Sequence, residues 1–261
     1  MTSDYPQIDF YDISCLTTEE SWSPFTARTY VALRLLDIPF QRHLVPMARI
    51  NSTLTSLGAP PPKSERHTLP AITITSSGKK EWITDSSDIA EKLQDLYLSS
   101  NHPLSTSLFP DPHSRSCVEL VRECFKSSLY TADHRWKSVN PAIYKILEPE
   151  SSEYYITDRT VQWGKHPQEI LDTDAAANEA RDGGVNQVYA KIIQPFAQLY
   201  DDKEKEGVWL GGERPIYADV MTLALLQWLK CANQDAFEQG LSINGGVLQK
   251  AWMEGQPLLK C

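Results

Sequence analysis

The sequence predicts an α/β unit over residues 1–100 joined to an all-helical unit over residues 101–261. Strand and helix patterns alternate from Gln7 to about Leu98 in the order β-α-β-(α)-β-β-α, an arrangement met by a mixed sheet with helices on its faces. A stretch rich in Pro and Ser, Asn101 to His113, interrupts the pattern. Beyond it no convincing strand follows, and apolar residues recur at helical spacing.

In Gln7 to Ile13 the apolar residues Ile8, Phe10, Tyr11 and Ile13 alternate loosely, as in a strand buried in part on both faces. Ser23-Pro24 opens a helix in which Ala27, Tyr30, Val31, Arg34 and Leu35 share a side. Serine accepts a hydrogen bond from a first-turn amide, and proline tolerates the first helical position because its missing N–H had no partner there. Asp37-Ile-Pro39 ends that helix, and Phe40 to Val45 forms the second strand. Met47 to Thr68, with Pro60-Pro-Pro62 in its middle, leaves room for at most one short helix in a long loop. Leu69 to Thr75 and Lys80 to Ile83 form a hairpin about Ser77-Gly78. Asp85-Ser-Ser-Asp88 then caps a helix carrying the stripe Ile89, Leu93, Leu96 and Tyr97. In the second unit a long helix carries Cys117, Val121, Cys124 and Ser128, and Tyr130 and His134, four apart, lie off that stripe. Further helices are expected around Asp174 to Tyr200 and over Tyr217 to Leu229.

Composition excludes several classes. A chain of 261 residues holding 34 Asp and Glu against 25 Lys and Arg, net charge -9, offers no overall field to draw it to nucleic acid or anionic lipid. Hydrophobic residues at 41% and charged residues at 23% exclude disorder of the whole chain. The five cysteines, Cys15, Cys117, Cys124, Cys231 and Cys261, are odd in number and scattered, which argues against a disulfide framework and a structural zinc site. An acid at position 4 with no apolar run behind it argues against a signal peptide, and Val220 to Leu229 is too short to span a bilayer. The expectation is a soluble, cytoplasmic protein with no metal.

Five segments carry a more specific signal. They are Ser23-Pro24-Phe25-Thr26-x-Arg28-Thr29, Leu69-Pro70 before a strand, Ile83-Thr84-Asp85-Ser86, Gly211-Gly212 followed by Ala218-Asp219-Val220, and Tyr154 to Glu169 with Arg159 and Trp163-Gly164-Lys165 inside it. With the element order, they resemble the soluble glutathione transferases across nearly the whole chain, the last segment being similar to that of the etherase-related fungal, serine-type members. The resemblance implies a thioredoxin-like first domain that binds glutathione and a helical second domain that supplies the hydrophobic pocket. It implies a homodimer. It places Ser23 at the catalytic position, Phe25 beside it, a cis peptide bond before Pro70 with Leu69 offering backbone hydrogen bonds, and Asp85-Ser86 holding the γ-glutamyl end. Ile216 departs from the pattern, which has a hydroxyl residue capping the helix before Ala218-Asp219.

The chemistry implied is activation of a thiol. A free thiol has a pKa of about 8.5, so only a few per cent is thiolate at neutral pH. Ser23 would donate its hydroxyl hydrogen to the sulfur, with the first-turn amides and dipole of its helix stabilising the same charge. Serine favours conjugation over thiol exchange because it forms no mixed disulfide. Ser21 and Tyr11 are rival hydroxyls. Ser23, Asp85 and Ser86 also read as plain helix caps, and Arg28 as a structural or surface charge. For the glycine end of glutathione the basic loop offers Lys63, Arg66 and His67 without a choice among them. Tyr130, His134 and Trp136 are candidates for the second-substrate pocket, or face solvent or a dimer partner. Attack on a hydrophobic electrophile, such as a specialised metabolite, leads; cis-trans isomerisation by reversible thiol addition, ether cleavage, and ligand binding without chemistry are the alternatives.

Overall fold

In the computed structural model of the chain, residues 6–62, 65–100, 107–131, 133–201 and 207–260 are described. Their strands β1 (Gln7–Ile13), β2 (Gln41–Val45), β3 (Ala71–Ser76) and β4 (Lys79–Thr84) form one mixed sheet in the order β2-β1-β3-β4. β1 runs parallel to β2 and antiparallel to β3, which pairs back onto β4. β1 is the central strand, and six of its seven residues are buried, which is why its alternation is weak in the sequence. The parallel pair needs a crossover, and α1 (Thr26–Leu35) supplies it. Ser77 and Gly78 both have positive φ, 50° and 76°, as the tight turn between β3 and β4 requires.

α1 begins three residues after Ser23. Ser23 and Pro24 instead form the turn that leads in, where the Ser23 carbonyl accepts from the Ala27 amide at 2.9 Å. In the long loop one short helix, α2 (Ile50–Ser56), forms after a 3-10 turn. α3 (Ser86–Ser99) starts at Asp85, whose carboxylate accepts from the Ser87 amide at 2.8 Å. It buries Ile89, Leu93 and Tyr97.

Beyond residue 106 the regular elements among the described residues are helices, with an isolated bridge between Trp209 and Gly212. α4 (Pro112–Tyr130) is capped by Asp111, and α5 (Pro149–Trp163) ends at Gly164 with φ of 72°. α6 (Pro167–Ile170) runs through a π turn into α7 (Ala176–Asp182), followed by α8 (Val185–Tyr200), α9 (Tyr217–Ala232), α10 (Gln234–Ile243) and α11 (Val247–Leu259). The helical expectation over Asp174 to Tyr200 is broken by Gly183-Gly184, both at positive φ, which end α7 and let α8 start afresh. Tyr130 is the last residue of α4, because Thr131 turns extended; His134 has φ of 47° and precedes a 3-10 stretch, Arg135–Ser138. The spacing of four therefore places Tyr130 and His134 on no common helix face.

α9 is buried from Tyr217 to Leu229, packed among α1, α4 and α10. Ile216 offers no cap hydroxyl to the first turn of α9, and Asp219 instead ties the incoming segment to the helix: it accepts from the Ile216 amide at 2.9 Å, the Leu210 and Gly211 amides at 2.7 and 3.2 Å, and the Tyr200 hydroxyl. The sheet unit and helices are joined by Tyr217 Oη donating to the Ser86 carbonyl and Tyr30 Oη to that of Lys260, both at 2.9 Å. Among the described residues no helix is long and apolar enough to cross a membrane.

Candidate active site

A cavity of about 700 Å³ opens where the turn before α1, the loop before β3 and the inner side of α5 meet. Ser23, Asn51, Arg66 and His67 line it from the sheet unit, while Tyr130, Trp136, Tyr154, Tyr155, Trp163 and Trp228 give the helical side an aromatic wall. Both sides mix polar and apolar groups, with Trp22, Phe25 and Leu69 also on the first and Asn140, Asp158, Arg159 and Gln162 also on the second, a lining that can hold a polar co-substrate and an apolar one together.

Of the three hydroxyls named from the sequence, Ser23 is the one that lines the cavity. Its Oγ accepts from the Phe25 amide at 3.4 Å, an arrangement that leaves the hydroxyl hydrogen to donate. Ser21 pairs with Thr26 Oγ1 at 3.2 Å, and Tyr11 is stacked between His43 and Trp82 with ring centroids 5.0 and 5.3 Å away. Phe25 and Leu69 also line the cavity, and the Leu69-Pro70 peptide bond is cis. Pro70, Asp85 and Ser86 are not in the lining. The sheet register pairs Ala71 with Thr84, so Asp85 stands level with Pro70 at the same sheet end, exposed, while Ser86 is buried under Tyr217.

Arg66 donates to Tyr154 Oη and to Asp158, both at 2.5 Å, and the His67 amide donates to Asn51 Oδ1 at 3.1 Å. Lys63 lies outside the described residues. Trp136 packs on Trp163 with centroids 5.1 Å apart, and half-exposed Tyr130 packs on Phe125. His134 is exposed and does not line the cavity, which corrects its place among the pocket residues. Arg28 is structural rather than a surface charge: it is buried over the rings of Phe25 and Phe125, and desolvation lowers its pKa.

Burial pushes the Tyr155 hydroxyl up to about 12 against the pull of Arg159, and the group donates to the Asn140 carbonyl at 2.8 Å. It is a neutral donor at pH 7, not a base. Burial also raises the Cys124 thiol and pushes Cys231 to about 12, and neither lines the cavity. These cysteines supply no thiolate at neutral pH.

The segment Tyr154 to Glu169, which carries the resemblance, also contributes side chains to the cavity that the motif alone does not assign to the site. The spacing held the signal: Tyr155, Arg159 and Trp163 repeat every four residues, as do Tyr154 and Asp158.

Residues 22–96 match the family model for the N-terminal domain of glutathione S-transferases, and residues 121–257 match one for the C-terminal domain. The chain is 26% identical to the glutathione S-transferase-like protein ustS of Aspergillus flavus, over 95% of this chain and 92% of that one. Among solved structures, glutathione transferase GSTFuA3 of Phanerochaete chrysosporium is similar at a TM-score of 0.75 and 22% identity, covering 97% of this chain and 98% of that one. The glutathione S-transferase CsGST63524 of Ceriporiopsis subvermispora, in complex with glutathione, is similar at 0.66 and 22% identity, covering 92% and 97%. With both halves matched in their order and the fold shared from end to end, the chain belongs to the glutathione S-transferase family.

Proposed function

We propose that this protein joins glutathione to a hydrophobic electrophile, with residues 1–100 holding glutathione and residues 101–261 the electrophile. One observation carries the reading: Ser23, with a hydroxyl hydrogen to donate, lines the same cavity as the aromatic wall. The sulfur of glutathione sits at the start of α1, accepts the Ser23 hydroxyl hydrogen and is held as thiolate by the adjoining amides and helix dipole. Thiolate attack forms a carbon–sulfur bond as the leaving group departs with its electron pair, so the protein contributes no covalent nucleophile. Leu69, Asp85 and Ser86 bind the peptide part by polar contacts. These local groups are needed because a net charge of -9 gives no attraction for an anionic tripeptide.

The test is incubation with glutathione and 1-chloro-2,4-dinitrobenzene, together with a crystal structure of the glutathione complex. Adduct formation and a sulfur within hydrogen-bond reach of Ser23 Oγ are expected. Binding of the sulfur at another hydroxyl overturns the role of Ser23, and absence of both adduct and glutathione binding overturns the transferase reading. With a cis-configured conjugated alkene such as maleate in place of the chlorobenzene, recovery of the trans isomer rather than an adduct moves the assignment to reversible addition.

A further inference from the structure

We propose that the helical side of the cavity takes a second substrate bearing an acidic group, and that Arg159 holds that group. This deepens the transferase reading and rests on it for the word substrate; the binding site itself rests on geometry. The charged lining residues among those described are Arg66, Arg159 and Asp158, two guanidinium groups against one carboxylate. A surplus positive charge thus faces a ring-lined cavity in a chain whose net charge is -9.

The two arginines are used differently. Arg66 reaches α5 from the loop before β3 through two nitrogens, to Tyr154 and Asp158. Arg159 lies on α5 itself, and its hydrogen bonds to Asp158 at 2.9 Å and Gln162 at 2.6 Å both leave from Nη1. Its guanidinium carbon is 5.2 Å from the ring centroid of Tyr155 and 5.9 Å from that of Trp163. The rings hold the group beside them, and its one carboxylate partner among the described residues, Asp158, is shared with Arg66, so the three groups together keep a positive charge. With 31% of the side chain exposed, Arg159 is neither sealed in nor fully hydrated. A planar fork at the edge of a Trp163–Trp136 wall matches a flat ring or conjugated system carrying a carboxylate: the ring lies on the indoles, and the anion meets the fork.

Calorimetric titration of the full-length protein with 2-naphthoate and its neutral counterpart 2-naphthamide, with and without saturating S-methylglutathione, tests this. The wild type is expected to bind the naphthoate about tenfold more tightly. Arg159→Met is expected to bring the two affinities together, and Arg159→Lys to keep part of the difference. The readout is a ratio within one variant, so a general loss of packing cancels, and Arg159→Lys serves alone if Arg159→Met does not fold. Equal binding by the wild type, or a preference that survives in Arg159→Met, overturns the proposal. Displacement of naphthoate by S-methylglutathione also overturns it, assigning the cation to glutathione. Adduct formation and glutathione binding are scored separately: a protein that shows neither yet prefers naphthoate loses the transferase reading and keeps the anion site.

Discussion

Arg66, in the loop before β3, pairs with Asp158 on α5, 92 residues further along the chain. The pair joins the segment leading into the cis Leu69-Pro70 bond to the helix that carries Arg159 and Trp163. With 47% of the Arg66 side chain exposed, the pair adds less than about 1 kcal/mol to stability. Its value lies in placing the loop. Arg66→Met is therefore expected to leave the urea midpoint almost unchanged and to raise the KM for glutathione about three- to tenfold at constant kcat. An unchanged KM would remove Arg66 both as a loop tether and as a contact for the glycine end.

Ser23 and Ser21 separate catalysis from the structure of the loop before α1. Ser23→Ala removes the hydrogen bond proposed for the thiolate and should lower kcat/KM about a hundredfold. The pH midpoint of the rate should also rise toward about 8.5, the value of a free thiol. Ser21→Ala breaks only the contact with Thr26, so it should cost about 1 kcal/mol of stability and leave the rate per folded molecule intact. Equal rate losses in the two variants would show that the loop's shape, not the Ser23 hydroxyl, supports turnover.

Asp219 concentrates the stability of the helical half. Burial raises its carboxyl above the usual range, while the Ile216, Leu210 and Gly211 amides and the Tyr200 hydroxyl hold it back. Asp219→Asn turns an N–H group toward these donors and should destabilise by about 3 kcal/mol in urea unfolding. Tyr200→Phe removes one donor and should cost about 1 kcal/mol. A smaller loss for Asp219→Asn than for Tyr200→Phe would contradict the role assigned to Asp219 at Ile216.

The order of strands and helices along the chain and the Asp85 cap were legible because each depends on residues close in sequence, whereas Ser23-Pro24 reads as a helix start and instead forms the turn before α1, which begins at Thr26. Local spacing says which side chains share a face, and it succeeds where the backbone stays regular. It failed at His134, because Thr131 ends α4 and no pattern of apolar residues marks that break. It missed the pairing of Arg66 with Asp158, since the electrostatics of a loop with a helix 92 residues away depend on the packing of the two halves. Arg159 was visible as part of a motif, but its stacking on Tyr155 and Trp163 needed α5 to be placed against the cavity.

Trp136, part of the aromatic wall, is held between two anchored cations, and acid should loosen it. Its neighbour Arg135 pairs with Asp182 at 3.0 Å and its neighbour Lys137 with Asp174 at 2.6 Å. Arg181, then Lys191 and Arg135, hold the buried Asp182 carboxyl below the usual carboxylate range, and Lys137 and Lys165 lower Asp174 to about 2 from 3.8. Both folded values lie below the unfolded one, so their contribution is complete above about pH 4 to 5 and fades as the pH falls toward 2. Asp182→Asn leaves three cations around a neutral amide and should cost about 2 kcal/mol at pH 7. Below about pH 4 the unfolded wild-type chain takes up the proton that folded Asp182 resists, so the gap between the two proteins should narrow there. Urea unfolding of both proteins from pH 7 to pH 2 measures it, and the emission lost in a Trp136→Phe protein, one of seven tryptophans, reports the wall. A gap that stays constant across the range would mean that Asp182 acts through packing alone and that charge does not fix the position of Trp136.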